Sequence, residues 1–182
     1  MMRRFCNWLL KCIGWQVTGS IPPQQFIMIV GPHSSNWDFI IGIIARFAVG
    51  RKINFIGKHQ LFIPPWGWLF SALGGYGVNR KKNNKIVGTA VELYRSNPEF
   101  CLALAPEGTR SPVTRWKMGF YHIAKEARVP IICVGLDFKL KQIQIQPPFH
   151  CSDDMQADIR QLLEYFRTVS PKYPKTIPDY EG

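Results

Sequence analysis

A histidine and an aspartate lie close together in the stretch GPHSSNWD, as His33 and Asp38. An imidazole beside a carboxylate makes a general base with an orienting partner. Farther along stands PEGTRS, Pro106–Ser111. Its groups suit an anion. Gly108 lets the backbone approach a ligand closely. Thr109 and Ser111 offer hydrogen-bond donors, and Arg110 can grip a phosphate with two N–H groups at once. Glu107 repels phosphate, so its uses are to orient Arg110 or to accept a hydrogen bond from an acceptor hydroxyl.

These groups act together only if the chain positions them. Consecutive helical residues are about 100° apart around the axis, so His33 and Asp38 diverge within one straight helix. They meet if His33 lies on an entering loop and Asp38 in the first helical turn. The local sequence permits this. Phe26–Val30 is a short apolar run that reads as a buried strand. Gly31-Pro32 ends it, Ser34, Ser35 and Asn36 are good N-cap residues, and Phe39–Val49 then reads as a helix. Asp38 near that N-terminus is favoured by the helix dipole. The dipole disfavours a charged imidazole and Asp38 favours one, a balance that can leave His33 neutral and basic near pH 7. PEGTRS follows Glu99–Ala105, an apolar strand, and therefore sits at that strand's C-terminal end, where open α/β sheets bind ligands.

The remaining elements follow from periodicity. Lys52–Ile56 and Tyr76–Val78 read as short strands. Asn83–Ser96 reads as a helix with Ile86, Val87, Ala90, Leu93 and Tyr94 on one face. Met118–Arg128 is a helix and Pro130–Phe138 a strand. Lys139–Gln146 alternates as a half-exposed strand does, and Asp153–Val169 is a last helix. The Pro-rich tail from Pro171 reads as extended or frayed. Strands alternating with helices give an α/β fold: a single domain with a mixed, mostly parallel sheet flanked by helices.

Composition narrows the partners. The 182 residues are 46% hydrophobic, which excludes a disordered chain and suits a single core. The net charge of +11 calls for an anionic partner, a nucleic acid or an anionic membrane face. The five cysteines form no C-x-x-C pair, which favours a reducing compartment over a disulfide framework. Leu61–Val78 is uncharged and long, but its prolines and glycines break a membrane-spanning helix, leaving an apolar loop with a short helix. The N-terminus is the better membrane signal. Phe5, Trp8, Leu9, Cys12 and Ile13 follow helical spacing beside Arg3, Arg4 and Lys11, the pattern of an interfacial amphipathic helix. Residues 1–20 are thus expected to form a membrane-associating helix, and 21–182 the globular domain. Packing of that helix on the core is the alternative.

Other chemistries lack support in the sequence. His59, His122 and His150 do not have the spacing of a metal site. Cys101 and Cys133 lie in apolar strands, away from the electropositive settings that activate a thiol. No G-x-S-x-G elbow, Walker loop or dinucleotide fingerprint is present.

HSSNWD together with PEGTRS resembles the glycerolipid acyltransferase family, over roughly Phe26 to Phe138. GGYGVNR, Gly74–Arg80, resembles a further block of that family, with Asn79 where an acidic residue is common. VPIICVGLDF resembles its apolar core strand, and RWKMGF also matches. The resemblance implies that His33, oriented by Asp38, deprotonates an acceptor hydroxyl. It implies that Arg80, Glu107, Gly108, Thr109, Arg110 and Lys117 bind substrate, Arg80 contacting an acceptor phosphate. The implied acceptor is a lysophospholipid, foremost lysophosphatidic acid, with another lysolipid or a lyso-aminolipid as alternative. The implied donor is acyl-CoA or an acyl carrier protein thioester, with no bound cofactor, no metal and no nucleic acid. The expected location is the cytoplasmic face of a membrane, peripheral or monotopic. A basic peripheral membrane or nucleic-acid-binding protein without catalysis is the rival class.

Overall fold

The structure, a computed structural model, describes residues 1–78 and 84–180. Its sheet has seven strands in the order β1-β7-β6-β2-β5-β3-β4. They are β1 (Gln16–Thr18), β2 (Ile27–Gly31), β3 (Asn54–Lys58), β4 (Gly75–Val78), β5 (Leu102–Leu104), β6 (Ile131–Asp137) and β7 (Gln142–Ile145). Among the described strand pairs, β6–β7 is antiparallel and the others are parallel. The expected mixed, mostly parallel sheet is what forms.

Central strands of such a sheet are covered on both faces and so must be apolar on both. In β6, Ile131 and Cys133 point into one core, while Ile132, Val134 and Leu136 point into the other. In β2, Ile27 and Ile29 join the first core and Met28 the second. Burying each such side chain contributes about 1.5–3 kcal/mol. The first core is closed by α4 (Asn84–Ser96), α5 (Gly119–Ala127) and α6 (Met155–Arg167). The expected face of α4 is the one used: Ala90 and Tyr94 are buried, with Val87 and Leu93 packed beside them.

The second core is closed by α1 (Met2–Cys12) and α2 (Trp37–Val49), through Cys6, Leu10, Ile41, Ala45 and Ala48. Asn7 and Arg3 donate side-chain hydrogen bonds to Ala48 O at the end of α2. The first twenty residues are thus part of the domain's packing, and β1 among them extends the sheet beyond β7. That strand was not anticipated: three residues with half-exposed side chains carry too little periodicity to show. The outer side of α1 still exposes Met2, Phe5 and Trp8. No described helix is long and apolar enough to cross a membrane.

The uncharged stretch after β3 folds as a 3-10 turn (His59–Phe62), the short helix α3 (Gly67–Ala72) and β4. Its glycines have a packing cause. A Cβ on Gly75 or Gly77 would approach the Phe62 ring to 2.7 or 2.8 Å, closer than carbon atoms tolerate. Gly75 and Gly77 therefore make room for a phenylalanine.

Candidate active site

β2 and β5 are parallel neighbours in the sheet, with Ile29 opposite Leu104. Each strand ends there and turns outward, one into His33 and the other into Glu107. Two segments far apart in sequence thus emerge side by side at the C-terminal edge of the sheet. Glu107 closes the gap: its Oε1 accepts a hydrogen bond from the His33 N–H at 2.9 Å.

On the other side, α2 begins at Trp37 and carries Asp38 in its first turn. The buried Asp38 Oδ2 accepts from the Ser34 and Ser35 N–H groups, each at 2.8 Å. The same oxygen faces His33 Nδ1 at 3.6 Å. That separation suits a charge contact and is slightly long for a hydrogen bond. Catalytic hydrogen bonds often tighten only when substrate binds. The loop-then-helix arrangement required of His33 and Asp38 is present. The cap at Asn36 makes no side-chain hydrogen bond; instead Ser35 Oγ accepts from Trp37 N.

Burial lowers the His33 pKa below its ordinary value, and the Arg110 and Lys175 cations lower it further against the opposing pull of Asp38. The imidazole is therefore neutral at neutral pH. Loss of solvent and two nearby cations keep it so, where the sequence suggested the helix dipole alone.

PEGTRS forms a tight turn. Gly108 has φ of 65°, a left-handed conformation that favours glycine, and donates its N–H to Ala105 O. A Cβ there would meet the Lys117 side chain at 3.2 Å, so the lysine chain lies directly over the turn. Lys117 N also donates to Pro106 O. Thr109 Oγ1 accepts from Ser111 N. Arg110 Nε donates to Ser35 O at 3.2 Å, joining the second motif to the first. Its outer N–H groups make no hydrogen bond to the described residues and remain available to an anion.

The expectation for Glu107 needs correction. Its side chain is 1% exposed, and its oxygens serve His33 N–H and the Lys175 ammonium. It neither orients Arg110 nor stands free for a substrate hydroxyl. Burial raises its pKa, while Lys175 and the His33 N–H oppose that rise. Of the two readings of the tail, extended or frayed, the extended one holds, and the tail is packed. Tyr173 N donates to Ser34 Oγ, Lys175 is buried against both motifs, and Ile177 joins the first core. Lys175 is a residue of this site that sequence reasoning missed. A lone lysine in a Pro-rich tail carries no local signal. Arg80 lies outside the described residues.

Comparisons with known proteins bear on the family and the fold. A family model described as Acyltransferase matches residues 15–137. The 1-acyl-sn-glycerol-3-phosphate acyltransferase of Escherichia coli (strain K12) is 27% identical over 158 residues, covering 77% of this chain. The match spans 63% of that relative's own length. Among solved structures, the 1-acyl-sn-glycerophosphate (LPA) acyltransferase PlsC from Thermotoga maritima superposes with a TM-score of 0.62 at 19% identity. That match covers 92% of this chain and 76% of the other, and it establishes a shared fold. With the family model spanning well over half of its length, this chain belongs to the acyltransferase family.

Proposed function

We propose that this protein transfers a fatty acyl group from a thioester, acyl-CoA or an acyl carrier protein, to the free hydroxyl of a lysophospholipid. The acceptor we favour is lysophosphatidic acid, giving phosphatidic acid. The observation that carries this reading is the neutral, part-buried His33 held between buried Asp38 and the Arg110 turn. Asp38 opposite Nδ1 favours the tautomer with its proton there, leaving the Nε2 lone pair as the base. Nε2 takes the proton of the acceptor hydroxyl as its oxygen attacks the thioester carbonyl. The tetrahedral intermediate then collapses, the C–S bond breaks, and the imidazolium returns its proton to the departing thiolate. Arg110 and Lys117 hold the acceptor phosphate, which fixes the hydroxyl relative to His33, an orientation effect worth orders of magnitude. The same phosphate is the proposed partner of Arg80. An acyl-enzyme is not needed. Burial pushes the Cys133 thiol up to about 12, far from a reactive thiolate.

The direct test incubates the protein with a panel of lysolipids against both donor types and reads products by mass spectrometry. Phosphatidic acid formed from lysophosphatidic acid is expected. If no lysolipid stimulates thioester consumption, the proposal fails.

The pH dependence has a definite sign. The neutral imidazole is the active form, and the His33 pKa lies below 6.5. The acidic limb of kcat/KM for free enzyme should therefore lie on the acidic side of the ordinary histidine value of 6.5. An acidic limb above pH 6.5 would contradict His33 as base in this environment.

The proposed location is a membrane surface. Phe5 and Trp8 project from α1 beside Arg4 and Lys11, and Trp66 and Trp68 are exposed around α3. Interfaces favour aromatic side chains of this kind. Replacing Phe5 and Trp8 together by serine should weaken binding to anionic vesicles by about tenfold or more, given about 1.5–3 kcal/mol for each fully buried large side chain. Co-sedimentation measures this. Serine at these exposed positions leaves the buried side of α1 intact, so an unchanged affinity would move the contact to Trp66 and Trp68.

A further inference from the structure

The Lys175 side chain is 2% exposed, although it lies in a Pro-rich tail. Lysine is rarely buried so completely without partners. Its Nζ donates to His33 O at 2.7 Å and to Thr109 O at 3.1 Å, and it pairs with the Glu107 carboxylate. An ammonium has three N–H groups, and three acceptors surround this one. It has nothing left to offer a substrate phosphate, so binding is not its role. What its partners share is position. One is the backbone of the proposed base, and the others belong to the turn that carries Arg110.

The tail is fastened on both sides of Lys175. Before it, Tyr173 N donates to Ser34 Oγ at 3.2 Å and Lys172 lies 4.8 Å from the centre of the Trp37 ring. After it, Ile177 is buried, and Arg167 donates to Pro178 O and pairs with Asp179. The ammonium is thus delivered by a strap anchored at both ends.

We propose that Lys175 is a positioning residue that ties the His33 loop to the Glu107–Thr109 turn and holds the base in register with Arg110. The role rests on the acyl-transfer reading of the site. Glu107 then acts as the fixed anion at the centre of a clamp: it takes the His33 N–H on one side and the Lys175 ammonium on the other. A base displaced by about 1 Å can lose about a hundredfold in rate.

Lys175→Met tests this through a split between kcat and KM. In folded protein kcat should fall about 10- to 100-fold, with KM for donor and acceptor nearly unchanged. Amide hydrogen exchange at His33 should accelerate, while the β6 amides stay protected. Removing one partner of a buried pair can prevent folding. In that case Lys175→Met/Glu107→Gln, which leaves no uncompensated charge, is read by the same criteria. A folded variant with wild-type kcat overturns the proposal, as does unchanged exchange at His33. A rise in either KM at constant kcat also overturns it, because Lys175 would then serve binding. If the wild-type protein transfers acyl groups from no donor, the functional reading fails, while the exchange measurement still decides whether the tie exists.

Discussion

His33→Ala is expected to lower acyl transfer about 100- to 10,000-fold, the usual contribution of a positioned general base. The protein should remain folded. The His33 hydrogen bonds that hold the site are made by its backbone, N–H to Glu107 and carbonyl to Lys175, and alanine keeps both. The imidazole Nδ1 makes no hydrogen bond that would be lost. Turnover with saturating donor and acceptor, beside a thermal melt, measures the two halves of this expectation. Asp38→Asn should also be slow, as when an orienting carboxylate is neutralised. Its amide oxygen can still accept from the Ser34 and Ser35 N–H groups that Asp38 now holds. A folded His33→Ala protein with near wild-type turnover would exclude the mechanism.

Arg110→Ala should reduce kcat/KM for a phosphorylated acceptor about 10- to 100-fold, since a hydrogen bond to a charged group contributes about 1.5–3 kcal/mol. Donor KM should change little. Comparison with an acceptor lacking the phosphate sharpens the test, because the difference between variants should then largely vanish. Arg110 also donates to Ser35 O, so part of any effect can come from the loop. That part would act on phosphorylated and unphosphorylated acceptors alike. Equal losses with both would assign Arg110 to loop structure and leave phosphate to other cations.

Much of this arrangement is legible along the chain because it is local. His33 and Asp38 stand on either side of a strand–loop–helix junction, and the strand, the turn and the helix each leave a mark in the sequence. The Gly108 turn is legible for the same reason. The boundaries are less so. The strand expected over Glu99–Ala105 is paired only from Leu102 to Leu104, because ladder pairing, not apolarity, sets its ends. The helix after PEGTRS begins at Gly119 and that near the C-terminus at Met155, both just inside the ranges expected from periodicity. Lys175 was hidden for a different reason. It contacts His33 across 142 positions, and nothing near it in sequence reports such a contact. Glu107 was misassigned with it, because an isolated carboxylate in a polar turn looks available until its partner is known. The GGYG motif is recognised by resemblance, but the cause of its Gly75 and Gly77, the Phe62 ring, belongs to a segment that reads only as an apolar loop.

The adjacency of β2 and β5 bears on which length changes the chain can absorb. The path from Asp38 to Glu107 runs through α2, β3, α3, β4 and α4 before returning to the neighbouring strand. Residues added in the loops between those elements lengthen a surface connection, and the cost of closing a longer loop grows only slowly. The distances that matter are the short ones, from Gly31 to His33 and from Leu104 to Glu107. One residue gained or lost there would carry the base or its anion away from the other at the sheet edge. Natural relatives should therefore vary widely in the separation of the two motifs while preserving the step from strand end to motif, and insertion scanning of the encoding DNA should trace the same division.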